Sequence, residues 1–196
     1  MPGGPTASYP PAMNAKTVRL LLTLTLALTP LANAAVVETS ATSLQVRHTF
    51  TVAAKPEKVW QSLLHVEKWW SSGHTFSGSA SNLRLEAKPG GCFCETLPDG
   101  GGVLHMTVVH VRPNAQLTLA GALGPLQTSG ATGAMTFEIA PAATGSTVTF
   151  VYNIGGYFKG GLNSISAPVD MVLIEQLERL HRYIDTGDAE MPKPAK

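Results

Sequence analysis

The sequence predicts an α+β fold, a curved antiparallel sheet of about six to seven strands wrapped around one long C-terminal helix, with two short helices after the first strand. Three observations carry this. Residues 44–52 alternate apolar and polar side chains, the period-two signature of a half-buried strand. Residues 82–154 fall into short runs rich in Val, Thr, Phe and Leu, each closed by a Gly, Pro, Asn or Asp turn signal. Finally, Val169, Leu173, Leu177, Leu180 and Ile184 recur at helical spacing over residues 167–185.

The elements follow in order. Lys16 and Arg19 precede an apolar run over residues 20–28, and the small triplet Ala32-Asn33-Ala34 follows. A positive segment, a short apolar core and an A-x-A site together predict a secretory signal peptide over residues 1–34, cleaved after Ala34. Met13 begins a better leader than Met1 does. Residues 35–43 then read as a small-residue tail. In the first strand Leu44, Val46, Phe50 and Val52 oppose Gln45, Arg47, Thr49 and Thr51. Pro56 suits a first helical position and Glu57 the first turn, with Val59, Trp60, Leu63 and Leu64 at helical spacing. A second short helix is expected over 66–70, stopped by Ser71-Ser72-Gly73.

Strands are expected over 82–87, 92–97, 103–111, 116–123, 134–140 and 146–154. Asp99-Gly100 between two apolar runs is a strong hairpin signal. Glycine-rich residues 155–161 read as a loop before the last helix, and Gly187 as its stop. Residues 187–196, polar with two prolines, are expected to be disordered. The folded domain is thus placed at 44–186.

Charge and length exclude several classes. The leader removes two of the 14 basic residues, Lys16 and Arg19, and none of the 13 acids, so the net charge passes from +1 to −1. Such a balance gives no footprint for nucleic acid. The mature chain has no apolar stretch of the roughly 20 residues that span a bilayer. No G-x-x-x-x-G-K-[ST] loop is present, which excludes a phosphate-loop ATPase. No H-x-x-x-H, H-E-x-x-H or G-x-S-x-G spacing occurs, and neither a metal nor a cofactor is expected.

Four motifs in order resemble one superfamily. Pro56-Glu57-Lys58-Val59-Trp60 with Glu67-Lys68-Trp69-Trp70 resembles its P-x-x-V-W … WW opening. Residues 89–95, PGGCFCE, resemble its GG-x-F strand. Residues 108–119 resemble its V-x-P-x-x-x-L strand pair, and residues 135–152 its VTFEL-P-x-x-x-GT-x-L hairpin. The chain is similar over 44–186 to the SRPBCC (START/birch-allergen-like, helix-grip) superfamily, closest to the branch related to activators of a heat-shock chaperone ATPase. The resemblance implies a helix-grip fold with a cavity between sheet and helix. It does not choose among lipid carriers, receptors, cyclases and chaperone activators. A cytosolic chaperone would not meet an exported chain.

On this resemblance the candidate ligand-binding residues are Trp60, Trp70, Phe93, Glu95, Met106, Met135, Phe137, Phe150, Tyr152, Tyr157, Phe158, Leu173 and Leu177. Ordinary core packing is the competing reading for each aromatic. Tyr157 and Phe158 stand apart, because they sit among glycines where a mobile mouth could form. The family pattern turns Phe93 inward, hence Glu95 with it and Cys92 and Cys94 outward. A carboxylate facing an apolar cavity could serve as acid, base or anchor; a solvated strand end near Asp99-Gly100 is the alternative. Cys92 and Cys94 lie about 6.6 Å apart along a regular strand, which opposes a bond between them. Packed thiols are the expectation, with a local disulfide or a soft-metal or redox role as alternatives. His105 and His110 read as surface strand residues. The chain reads as an exported binding or carrier domain for a small hydrophobic ligand. A cyclase/dehydratase-like enzyme using Glu95 or Tyr152, and a protein-binding envelope accessory, are the alternatives.

Overall fold

The computed structural model describes residues 35–190, together with Gly3 and Gly4. The expected leader, residues 1–34, and residues 191–196 of the expected tail therefore lie outside the described residues. Among the described residues eight strands form a single antiparallel sheet: β1 Ala35–Thr39, β2 Ser43–Val52, β3 Leu83–Leu85, β4 Cys92–Thr96, β5 Gly102–Arg112, β6 Gln116–Gly121, β7 Gly130–Ala142 and β8 Gly145–Tyr157. Their order across the sheet is β1-β2-β8-β7-β6-β5-β4-β3. Among the described residues three α-helices accompany it, α1 Pro56–Leu64, α2 Val66–Trp69 and α3 Ser166–Thr186, besides short 3-10 turns. Among the described residues no helix is long and apolar enough to cross a membrane.

The sheet folds over α3 through its concave face, which carries the buried apolar side chains. Val46, Val108, Leu117, Leu119, Phe137, Phe150 and Tyr152 point inward and are buried. The helix answers with Leu173, Leu177, Leu180 and Ile184. Phe137 and Phe150 meet tilted, with ring centroids 5.0 Å apart, and Trp70 packs edge-on to Phe93 at 5.3 Å. Polar contacts fix the helix in rotation: His48 on β2 meets Asp170 at 2.7 Å, and Gln176 accepts a hydrogen bond from the Ser71 amide at 2.7 Å.

Four expectations are corrected. Residues 35–39 are not a tail but the edge strand β1, paired with β2 from Ala35↔Arg47 to Thr39↔Leu44 and interrupted by a bulge. A single short edge strand with a break in its register leaves no alternation to read. The C-terminal tail, as far as it is described, docks. Ala189 is buried, and Glu190 accepts hydrogen bonds from Arg179 and Arg182 of α3.

Residues 155–157 are strand, not mouth loop: Gly155, Gly156 and Tyr157 pair with Thr132, Ala131 and Gly130. Gly156 holds φ +124°, and a Cβ there would fall 2.3 Å from the Gly130 carbonyl oxygen. These glycines thus permit close strand approach rather than opening.

The fourth correction is Cys92–Cys94, which form a disulfide, with Cα atoms 5.4 Å apart. Regular strand spacing opposed it, and packed thiols were the expectation with the local disulfide as an alternative. However, the β4–β5 ladder shifts register between Phe93 and Cys94, so the strand is not regular there.

Candidate functional site

The same register shift builds the site. Phe93 pairs with Met106 but Cys94 pairs with Leu104, which leaves His105 as the extra residue of a bulge on β5. Alternation is broken locally, so His105 and Met106 both turn inward and are buried. The surface reading of His105 is thereby corrected: it is 7% exposed. His110 is exposed.

Opposite the bulge, Glu95 is 2% exposed, which overturns the solvated-strand-end reading. Its carboxylate accepts hydrogen bonds from the Phe76 amide at 3.1 Å, from the Ser77 amide, and from His105 Nε2 at 3.0 Å. Burial raises the Glu95 carboxyl, but the bonds from Ser77, Phe76 and His105 outweigh it and hold the carboxyl below the usual carboxylate range. Burial also lowers the His105 imidazole, and the adjacent carboxylate only partly restores it. The pair is thus an ionised carboxylate beside a neutral imidazole. Its rings are sandwiched: His105 lies 5.9 Å from Phe76 and 4.9 Å from Phe93.

His105 stands in the wall of a cavity of about 520 Å³ between the bulged part of the sheet and the N-terminal half of α3. Three segments bound it. The stretch after α2 gives Trp70, His74, Thr75 and Phe76; the turn after β6 gives Leu123–Leu126 and Thr128; α3 and the residue before it give Ile165, Pro168, Val169, Val172 and Leu173. Tyr152 closes the floor from β8. Its hydroxyl accepts a hydrogen bond from the Leu123 amide at 2.9 Å. Burial pushes the Tyr152 phenol up, so it stays protonated throughout the neutral range. Phe76, 58% exposed, stands at the rim.

Of the residues singled out from sequence, Trp70, Tyr152 and Leu173 line this cavity, and Glu95 stands behind His105. Trp60, Phe93, Met106, Met135, Phe137, Phe150 and Leu177 instead interlock in the core. Phe158 packs partly buried against that core, and Tyr157 is 69% exposed at the end of β8. Leu126 and Ile165 were missed because they come from turns and Val172 because it flanks the helix stripe; Val169 was read as part of that stripe but not as a lining residue. His105 was missed because a bulge leaves no mark in hydropathy. Among the described residues, no three His, Cys, Asp or Glu side chains converge as a metal site.

The family model described as polyketide cyclase / dehydrase and lipid transport matches residues 43–184. No curated protein matches the chain. Among solved structures, protein MLL2253 from Mesorhizobium loti is 19% identical with a TM-score of 0.52, covering 74% of this chain and 98% of that one. The Aha1 dimer from Colwellia psychrerythraea is 18% identical with a TM-score of 0.52, covering 73% and 97%. CalU16 from Micromonospora echinospora is 13% identical with a TM-score of 0.51, covering 78% of each chain. At these identities the likeness is one of fold, and the fold is the helix-grip architecture expected from the motifs.

Proposed function

Because the chain belongs to the polyketide cyclase / dehydrase and lipid transport family, we propose that it binds a small hydrophobic ligand in the cavity between the bulged sheet and α3. The observation that carries this reading is the cavity itself. Its volume of about 520 Å³ falls within the range of small-molecule sites. A close-packed core would leave only voids near the size of one water. The wall is mostly apolar, from Trp70, Leu126, Ile165, Val169, Val172 and Leu173, with few polar groups among them.

A fluorescence titration with an apolar, environment-sensitive dye tests it. The native protein should bind one dye saturably. Val172, half-buried on α3, offers a position from which a larger side chain fills the space. Val172→Trp should weaken binding by about tenfold or more, a loss of roughly 1.4 kcal/mol, at an unchanged denaturation midpoint. No saturable binding by the native protein would overturn the reading.

Export belongs to the same proposal. The Cys92–Cys94 disulfide suits an oxidising compartment. The kinship with activators of a chaperone ATPase is then one of descent, since such a partner is cytosolic. N-terminal sequencing of the natively expressed protein should start at Ala35; a full-length cytosolic product would rule export out.

A further inference from the structure

Cys92 and Cys94 are half-buried and alternate with the buried Phe93 and Glu95, so their disulfide lies on the convex face of the sheet, away from the cavity. The bond encloses a single residue. Such a bond restrains the unfolded chain least, because the stabilisation grows with the length of the loop closed. Nor does it tie separate elements together: the β4–β5 ladder already holds Cys92 against Thr107 and Cys94 against Leu104. The architecture thus gives the bond little to do, and its surroundings are those of a reactive one.

Two neighbours define those surroundings. Arg84, on the edge strand β3, is the ladder partner of Cys94, and its guanidinium reaches diagonally to Cys92, with Nη2 3.5 Å from Sγ. Its Nε meets Glu86 at 3.1 Å, and Glu86 also meets Lys88 at 3.7 Å, so this corner of the sheet carries two cations against one anion. On the other side Leu104, the partner of Cys94 on β5, is 59% exposed. A cation beside one sulfur stabilises the negative charge of a thiolate leaving there. An exposed apolar side chain beside the other sulfur rewards contact with an apolar molecule that brings a thiol to it.

We propose that Cys92–Cys94 is a thiol–disulfide exchange site, and that its substrate is a dithiol carried on an apolar peptide segment. A first substrate thiolate attacks Sγ of Cys94. A bond forms between the two sulfurs, the Cys92–Cys94 bond breaks, and its electron pair leaves on Cys92 Sγ as a thiolate beside Arg84. The second substrate thiol gives its proton to solvent and attacks the substrate sulfur of the mixed disulfide. The substrate closes its own disulfide, and Cys94 departs as a thiolate. Both protein thiolates can then take protons from solvent. The substrate has lost two electrons and two protons, and the cysteine pair has gained them. Attack falls on Cys94 because the better leaving group is the sulfur that Arg84 faces.

The test uses the oxidised native protein. The dithiols are dithiothreitol and a reduced leucine-rich peptide bearing two cysteines, followed by acid quenching, alkylation and mass spectrometry. Each folded chain should oxidise one peptide and gain two alkylatable thiols. The rate should rise in proportion to dithiol concentration and pass the rate of global unfolding without levelling off. Arg84 and Leu104 are both largely exposed, so substitutions there leave the core untouched. Arg84→Gln should slow the reaction with both dithiols about fivefold or more, and Arg84→Lys, which keeps the charge, should slow it less. Leu104→Ser should slow the peptide and leave dithiothreitol unchanged. Reduced glutathione, a monothiol trapped early at the mixed disulfide, should map to Cys94, with the alkyl group on Cys92. A rate that levels off at that of unfolding, an unchanged rate in Arg84→Gln, or glutathione on Cys92 would overturn the exchange site. An unchanged peptide rate in Leu104→Ser would overturn the assignment of the substrate as an apolar peptide.

Discussion

Leu177→Ala is expected to cost about 3–5 kcal/mol of folding stability, the largest effect of any single truncation on α3. Leu177 lies in the solid part of the core, away from the cavity wall. Truncation there removes the transfer free energy of its methyl and methylene groups and leaves a void that β-sheet and helix are too rigid to close. One turn earlier the same change should cost less. Leu173 already faces the cavity on one side and has no partner atoms to lose there, so Leu173→Ala should cost about 2–3 kcal/mol. Equilibrium urea denaturation of both variants checks the order. Equal losses, or a loss below about 0.5 kcal/mol at Leu177, would mean that α3 does not grip the sheet as described.

Glu95→Ala should cost a comparable amount, about 3–5 kcal/mol, for a different reason. The carboxylate is the acceptor for the Phe76 and Ser77 amides and for His105 Nε2, and its loss orphans three donors at once. Glu95→Gln keeps one of the two oxygens, which Ser77 on one side and Phe76 with His105 on the other use separately, and should cost less than the alanine but more than nothing.

The pair also sets the response to acid. The folded imidazole of His105 is lowered from its ordinary value of about 6.5, so the unfolded chain takes up the proton first and stability falls as pH drops below that value. The folded carboxyl of Glu95 is likewise lowered, from about 4.3. Its contribution is fully present above that value and is lost as pH falls through the folded pKa. The two act in the same direction. Denaturation midpoints measured from pH 7.5 to 3.5 should decline in the native protein and decline less in His105→Gln between pH 6.5 and 5. A profile that is the same in both proteins would remove His105 from the account.

Much of the architecture could be read from the chain because its signals are local. The Leu44–Val52 alternation became β2, Pro56 and Trp60 became α1, and the Val169–Ile184 stripe became the gripping face of α3. Asp99-Gly100 turned β4 into β5, with Gly100 at φ +84° as that turn requires. The inward turn of Phe93 and Glu95 was legible from the family motif. By contrast, of the aromatics expected around a ligand, Trp70 and Tyr152 line the cavity, whereas Trp60, Phe93, Phe137 and Phe150 lie in the solid core. Phe137 and Phe150 fill space against each other, and hydropathy alone cannot separate a core side chain from a cavity side chain.

Sequence by itself determined the class of fold, the order of its elements and the residues that must leave water, because periodicity and turn chemistry depend on neighbours a few positions away. Tertiary structure alone decided where the interior stays open and which polar groups face it. A single extra residue on β5 turns His105 inward and brings it to Glu95. The Cys92–Cys94 disulfide sits at the same break in register. Register is a property of two strands together, and no pattern within one of them records it.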